Sequence, residues 1–229
     1  RSGGGGVCVH LVAPARTGQA QGNRPAVLAC LGRSCLAARE GLSRGSGSGV
    51  ADVGGGEGWS SIAMAQGYPG GMIDGYDLDA ASIAVAGEHA VESGVSERVT
   101  FTTADAGAVS GQGTYDLVTA FECIHDLPDP VAVLSTMRSL VRPGGTVLVM
   151  DEKVADEFTG PSGGPVEQLM YGFSLFVCLP DSLSTPGSRA TGTAMRAPVL
   201  RGYAEEAGFG DIEVLPVHLP IWRVTACAG

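Results

Sequence analysis

Lysine is almost absent: the 229 residues hold one, Lys153, against thirteen arginines. That bias reflects GC-rich coding rather than chemistry. No apolar run reaches eighteen residues, which excludes a membrane-spanning helix of ordinary composition. "VCVHLVAPA", behind four glycines, is too weak for an export signal. None of the six cysteines (Cys8, Cys30, Cys35, Cys123, Cys178, Cys227) forms a C-x-x-C, and none pairs with histidine at zinc spacing. No metal centre is expected, and scattered thiols suit a reducing, cytoplasmic setting.

Charge is unevenly spread. Residues 1–49 carry six arginines and one acid, Glu40, hence about +5, which leaves about −15 on the rest of a chain whose formal total is −10. An acidic main body disfavours nucleic acid and anionic membrane as partners. The first 49 residues are rich in Gly, Ser, Ala and Arg and end in "SRGSGSG". They read as a low-complexity, disordered or non-native segment, with the domain at 50–229. The start at Arg1 rather than Met suggests a fragment or a processed chain.

Beyond residue 49 strands and helices alternate. Strands are expected at 50–53, 71–77, 98–105, 114–122 and 144–152, with helices at 59–67, 79–94 and 129–141 between them. Helix 197–209 and a closing antiparallel pair, 211–217 and 221–226, follow. The fold class is therefore α/β: a Rossmann-like, doubly wound, mostly parallel seven-stranded sheet with an antiparallel C-terminal strand. Residues 153–196, with an expected helix at 165–179, break the alternation. An insertion after the fifth strand would lie over the carboxyl ends of the strands, where such sheets bind ligands.

"VADVGGGEGW" (50–59) is the stretch that speaks to function. The dinucleotide pattern G-x-G-x-x-G/A places Trp59 third, where the helix must approach the strand closely and an indole does not fit. No Lys-Ser/Thr pair follows, as a phosphate-cradling loop needs. Asp52 beside the turn would repel a pyrophosphate. What fits is D-x-G-x-G-x-G: Asp52, Gly54, Gly56 and Gly58. An acid there suits a ligand with a cationic end.

On those residues, residues 50–226 resemble the class I S-adenosylmethionine-dependent methyltransferases. The resemblance implies S-adenosyl-L-methionine as cofactor, Asp77 on the ribose hydroxyls and Leu78 on the adenine. Asp105 would take the adenine amine, with Ala106 offering its backbone N–H. "AFECIHDLPDP" (120–130), with Phe121 and Glu122, would line the methionine end, and Glu122 could meet its ammonium. "VRPGG" (141–145) would shape the turn before strand five. His125 is the candidate general base, the alternative being a residue that packs on the cofactor. Met170, Tyr171 and Phe173 are candidate substrate contacts, the alternative being ordinary core.

The tail from "DEKVADEF" to "YAEEAGF" is similar to bacterial small-molecule methyltransferases with an N-terminal winged-helix-like dimerisation domain. Residues 1–49 show none of its helices. The resemblance thus implies a small-molecule methyl acceptor, a homodimer only where that domain is present, and weak turnover without it. Two other readings stand beside methyl transfer: a non-catalytic S-adenosylmethionine-binding module, and an NAD-dependent oxidoreductase, which Trp59 and Asp52 disfavour.

Overall fold

The computed structural model describes residues 48–111, 113–158 and 160–229. The low-complexity segment expected at 1–49 therefore lies outside the described residues, save Ser48 and Gly49. Strands β1 (Ser48–Val53), β2 (Gly71–Asp77), β3 (Val99–Thr103), β4 (Tyr115–Phe121), β5 (Val141–Glu152), β6 (Asp211–Val214) and β7 (Trp222–Ala228) form one seven-stranded sheet. Its order is β3-β2-β1-β4-β5-β7-β6, parallel throughout except where β7 runs against both its neighbours.

Helices cover both faces: α1 (Trp59–Gly67), α2 (Ala80–Glu92), α3 (Pro130–Leu140) and, near the C-terminus, α6 (Ala197–Glu206). A parallel sheet covered on both sides requires central strands that are apolar throughout. All seven residues of β4 are buried. Its side chains alternate between two cores. Leu117 and Phe121 join Ile62, Met64 and Met150 on one face, while Val118 and Ala120 join Leu134, Met137 and Leu200 on the other. Each fully buried Leu, Ile or Met contributes about 1.5–3 kcal/mol of transfer free energy.

Helix ends follow their caps. Asp79 accepts from the backbone N–H of Ala81 and Ser82 and starts α2, and Asp129 does so for α3 through Ala132. Within α2, Gly87 has open space where a Cβ would stand. Gly87→Ala is therefore expected to stabilise the domain by about 0.5–1 kcal/mol, read as a higher urea midpoint.

Four features depart from the sequence reading. β1 begins at Ser48, two residues before the expected boundary, because Ser48 and Gly49 pair Gly71 and Met72 of β2, the Gly49 N–H also donating to Asp116 Oδ2 at 3.0 Å. "RPGG" lies inside β5 and is not a turn ahead of it. Tyr115 pairs Val141 and Leu117 pairs Thr146, so the extra β5 residues bulge out of the ladder. A Cβ on Gly145 would stand 2.7 Å from the Asp116 carbonyl oxygen, so only glycine passes there. The helix expected at 165–179 is three joined pieces: α4 (Pro165–Phe173), a π-helical turn (Ser174–Cys178) and α5 (Leu179–Leu183). The last strands also shift, β6 ending at Val214 and β7 running to Ala228.

Candidate active site

The strand order reverses direction between β1 and β4, and at this switch point the carboxyl ends of a doubly wound sheet open a crevice. The glycine turn sits there. Gly54, Gly56 and Gly58 all have left-handed φ (70°, 52° and 83°). A Cβ on Gly54 would lie 2.7 Å from Cys123 Sγ, so the turn packs directly on the segment after β4.

The amides of this turn are spent on the protein. Gly54 and Gly55 donate to the Tyr76 carbonyl at 2.8 and 3.1 Å, and Gly58 to the Gly55 carbonyl at 2.9 Å. Gly56 donates to Asp77 Oδ2 at 2.8 Å. A phosphate cradle needs such amides free and converging on an anion. Here they brace an acid instead.

Asp77 ends β2, half-buried, with Oδ1 also accepting from the Asp79 N–H at 2.9 Å. Leu78 follows it with 65% of its surface exposed. Asp105 is exposed after β3, its Oδ1 accepting from Gly107 at 2.9 Å, and Ala106 opens the short 3₁₀ turn beside it. Asp77, Leu78, Asp105 and Ala106 thus stand together at the ends of adjacent strands. Two carboxylates with lone pairs to spare and an exposed apolar side chain next to one of them can accept hydroxyl or amine hydrogens and cover a flat ring.

Asp52 corrects the sequence reading. It is buried, and its carboxylate accepts from Ser60 Oγ (2.5 Å), Ser61 Oγ (2.7 Å) and Thr119 Oγ1 (2.8 Å). A carboxylate so engaged does not face a ligand's cationic end. It ties β1, β4 and the first turn of α1 together, where the helix dipole favours negative charge.

The segment after β4 is more heavily built. Phe121 is buried in the core. Glu122 has φ 54°, uncommon for a residue with a side chain and a recurrent mark of a functional position. It is buried, its Oε1 accepts from the Trp222 indole N–H, and burial holds its carboxyl above the usual range.

His125 has 2% of its surface exposed. Its Nδ1 lies 2.5 Å from Asp151 Oδ1 and 3.3 Å from Glu152 Oε2. Its Nε2 lies 3.2 Å from Asp126 Oδ1 and 3.6 Å from Cys178 Sγ. Burial opposes the imidazolium, but the Asp151 carboxylate and the bonds to Asp126 and Asp151 outweigh it and lift the histidine well above its usual range. Burial likewise raises Asp151, and it pushes Glu152 up to about 8 with Asp151 and Glu122 adding to it. This environment does not suit the expected general base. A base must be open to accept a proton, and here both ring nitrogens face carboxylate oxygens in a sealed cage.

Sequence reasoning missed Asp126, Asp151, Glu152, Cys178 and Trp222. The one visible signal was "MDE", two adjacent acids closing an apolar strand that the fold buries.

The 153–196 stretch touches this segment at several points. Cys178 meets His125, the Gly192 N–H donates to the His125 carbonyl at 3.0 Å, and Arg189 N–H donates to the Pro128 carbonyl at 2.9 Å. Among the candidate substrate contacts, Met170 is buried and reads as packing. The Tyr171 hydroxyl donates to Glu167 Oε1 at 2.5 Å and accepts from Arg196 Nη2 at 2.8 Å. Phe173 is half-buried, and Phe176, one turn on, is 78% exposed.

The methyltransferase domain family matches residues 45–174, more than half of the chain, and the chain belongs to it. Its class is that of the S-adenosylmethionine-dependent methyltransferases of class I. The ubiquinone biosynthesis O-methyltransferase of Paraburkholderia xenovorans is 39% identical over 102 residues, which covers 44% of this chain and 43% of that protein. Its counterpart in Colwellia psychrerythraea is 29% identical over 171 residues, covering 74% and 63%.

Among solved structures, an O-methyltransferase family protein from Burkholderia thailandensis matches 92% of this chain and 57% of its own, with TM-score 0.69 at 19% identity. Human N-acetylserotonin methyltransferase, solved in complex with SAM, matches 90% and 51%, with TM-score 0.64 at 20% identity. Both likenesses show the fold. The chain spans about half the length of several of these relatives.

Proposed function

We propose that this chain binds S-adenosylmethionine across the ends of β1, β2 and β3 and transfers its methyl group to a hydroxylated small molecule. The observation that carries the reading is Asp77, an acid at the end of β2 whose carboxylate is fixed by the Gly56 amide of the glycine turn. The bound cofactor supplies an electrophilic methyl group on a sulfonium. Asp77 accepts the ribose hydroxyls, Leu78 covers the adenine, and Asp105 and the Ala106 amide meet its polar edge. Glu122 draws the ammonium. Asp52 and Gly54, Gly56 and Gly58 hold the turn in shape without touching the cofactor's charge.

Aligning acceptor and methyl group is the main task of such a site. Tyr171, Phe173 and the helix that carries them supply the apolar wall. The names of the curated relatives support oxygen as the acceptor atom. The acidic body argues against a nucleic-acid acceptor, and a cytoplasmic location and a homodimer formed through a further N-terminal domain accord with the resemblance. Because both ring nitrogens of His125 face carboxylates in a sealed cage, a second reading, a module that binds the cofactor without turnover, is also specifically supported.

Calorimetric titration tests the binding shared by both readings. Micromolar binding of S-adenosylmethionine and S-adenosylhomocysteine, with none of NAD, is expected. NAD binding alone would overturn the site assignment. Methyl release in the presence of a panel of phenolic acceptors then separates the enzyme from the silent module.

A further inference from the structure

The cage around His125 holds more negative charge than its neighbours neutralise. Glu122, Asp126, Asp151 and Glu152 surround one imidazole, all but Asp126 being fully buried. Arg223, opposite Asp151 in the β5–β7 pair, offsets part of that charge, while its guanidinium bonds the Val154 carbonyl at 2.5 Å and Asp156 at 3.3 Å. Two carboxylate oxygens, Asp151 Oδ2 and Glu152 Oε2, are buried without a hydrogen bond, Glu152 Oε2 having the approach of His125 Nδ1 at 3.3 Å. A buried anionic oxygen left unpaired costs several kcal/mol unless a proton or a cation meets it.

Donor atoms of His125, Asp151 and Glu152 all lie within 4.8 Å of one another. Ions such as Mn²⁺ and Zn²⁺ hold nitrogen and oxygen donors at about 2.0–2.2 Å, which sets neighbouring donors about 3 Å apart. The 3.3 Å between His125 Nδ1 and Glu152 Oε2 already has that spacing.

We propose that His125 Nδ1, Asp151 Oδ2 and Glu152 Oε2 bind one divalent first-row transition-metal ion, beside the cofactor crevice and independent of the cofactor. The ion displaces the proton on Nδ1 and the one that burial holds on the Glu152 carboxyl, both of which leave to solvent, and the contact between Nδ1 and Asp151 Oδ1 opens as Oδ2 turns onto the metal. Asp126, 3.2 Å from Nε2, then fixes the tautomer by accepting the Nε2–H, the usual outer support of a metal-bound histidine. Imidazole with two carboxylates favours manganese, iron or zinc. Three protein donors leave a coordination position open, as reactive rather than purely structural sites do.

A second grouping, His125 with Asp126 and Cys178, shares the same ring. It is the weaker candidate, since Cys178 Sγ already accepts from Thr193 Oγ1 at 2.7 Å.

The test uses the full chain, stripped with chelator and titrated with Mn²⁺ while the electron paramagnetic resonance signal of the free ion is followed. One ion per chain is expected, with proton release measured in buffers of different ionisation enthalpy. Glu152→Gln and Asp151→Asn should each weaken uptake by at least about tenfold, and Cys178→Ala should leave it unchanged. Circular dichroism checks that the variants fold, which removal of an unpaired buried charge favours. Absence of stoichiometric uptake by the wild type, uptake without proton release, uptake that survives Glu152→Gln, or uptake lost in Cys178→Ala each overturns the assignment. None of these readouts needs S-adenosylmethionine, so they stand whether or not the cofactor reading does.

Discussion

Asp77→Ala is expected to weaken S-adenosylmethionine binding about 100-fold while the domain stays folded. Hydrogen bonds to a charged group contribute about 1.5–3 kcal/mol each, and the ribose offers two hydroxyls to this carboxylate. Loss of both, taken at the lower end of that range because the half-buried site is open to water, comes to roughly two orders of magnitude at about 1.4 kcal/mol per tenfold. The folded state loses about 1–3 kcal/mol, because the buried Gly56 amide is left without its acceptor while the exposed Asp79 amide turns to water. Asp77→Asn separates charge from shape: it keeps an acceptor of the same size and is expected to fall between the two. Calorimetry at fixed salt reads all three proteins. A drop of less than about fivefold in Asp77→Ala would remove the ribose from this acid and with it the site assignment.

The acid is one of a series. Each of the five parallel strands running up to the crevice closes on a carboxylate: Asp52 in β1, Asp77 in β2, Asp105 just beyond β3, Glu122 just beyond β4, and Asp151 with Glu152 in β5. An edge of that kind repels phosphates and favours cationic and hydroxyl-bearing ligands. The series also divides by depth. Asp77 and Asp105 reach solvent and can meet a ligand, whereas Asp52, Asp151 and Glu152 are sealed and must be neutralised by the protein, a proton or an ion. Two of these sealed acids form the cage, and the third has its three hydroxyls.

Local features were legible in the sequence because local rules produce them. α1 spans Trp59–Gly67 and β2 spans Gly71–Asp77 as the apolar period and the bounding glycines require. Asp79 and Asp129 announce their helices as caps. The order of acids after β1, β2 and β3 was readable for the same reason, each sitting at a fixed offset from a strand end.

What could not be read depends on pairings remote in sequence. His125 and Asp151 stand 26 residues apart, and Glu122 and Trp222 a hundred. No spacing rule connects residues on different strands until the register is known. The bulge in β5 was hidden for a related reason. Pro-Gly-Gly has turn chemistry, and only the approach of the Asp116 carbonyl shows why a bulge needs it.

Gly58→Ala is expected to destabilise the domain by about 2–4 kcal/mol, through two separable causes. The residue has φ 83° at the N-cap of α1, where a side chain adds about 1–2 kcal/mol of backbone strain. Its Cβ would also stand 2.5 Å from Phe101 Cζ and 2.9 Å from the Ala86 Cβ, a clash in the range of about 1–3 kcal/mol for an overpacked core. The same ring closes on Gly75, whose Cβ would lie 2.6 Å from Phe101 Cδ1, so the ring cannot move aside without losing its slot. For a domain of this size the loss corresponds to a melting temperature lower by about 5–15 °C. Phe101→Leu separates the causes in a double-mutant cycle. It removes the ring atoms that meet the new methyl group but leaves φ and the Ala86 contact unchanged, so the double variant should recover the ring's share alone. Strict additivity would mean that the left-handed backbone and the Ala86 contact, not the ring, demand glycine at the third position of the turn. Full recovery would mean that the ring demands it, and that glycine's conformational freedom there is incidental.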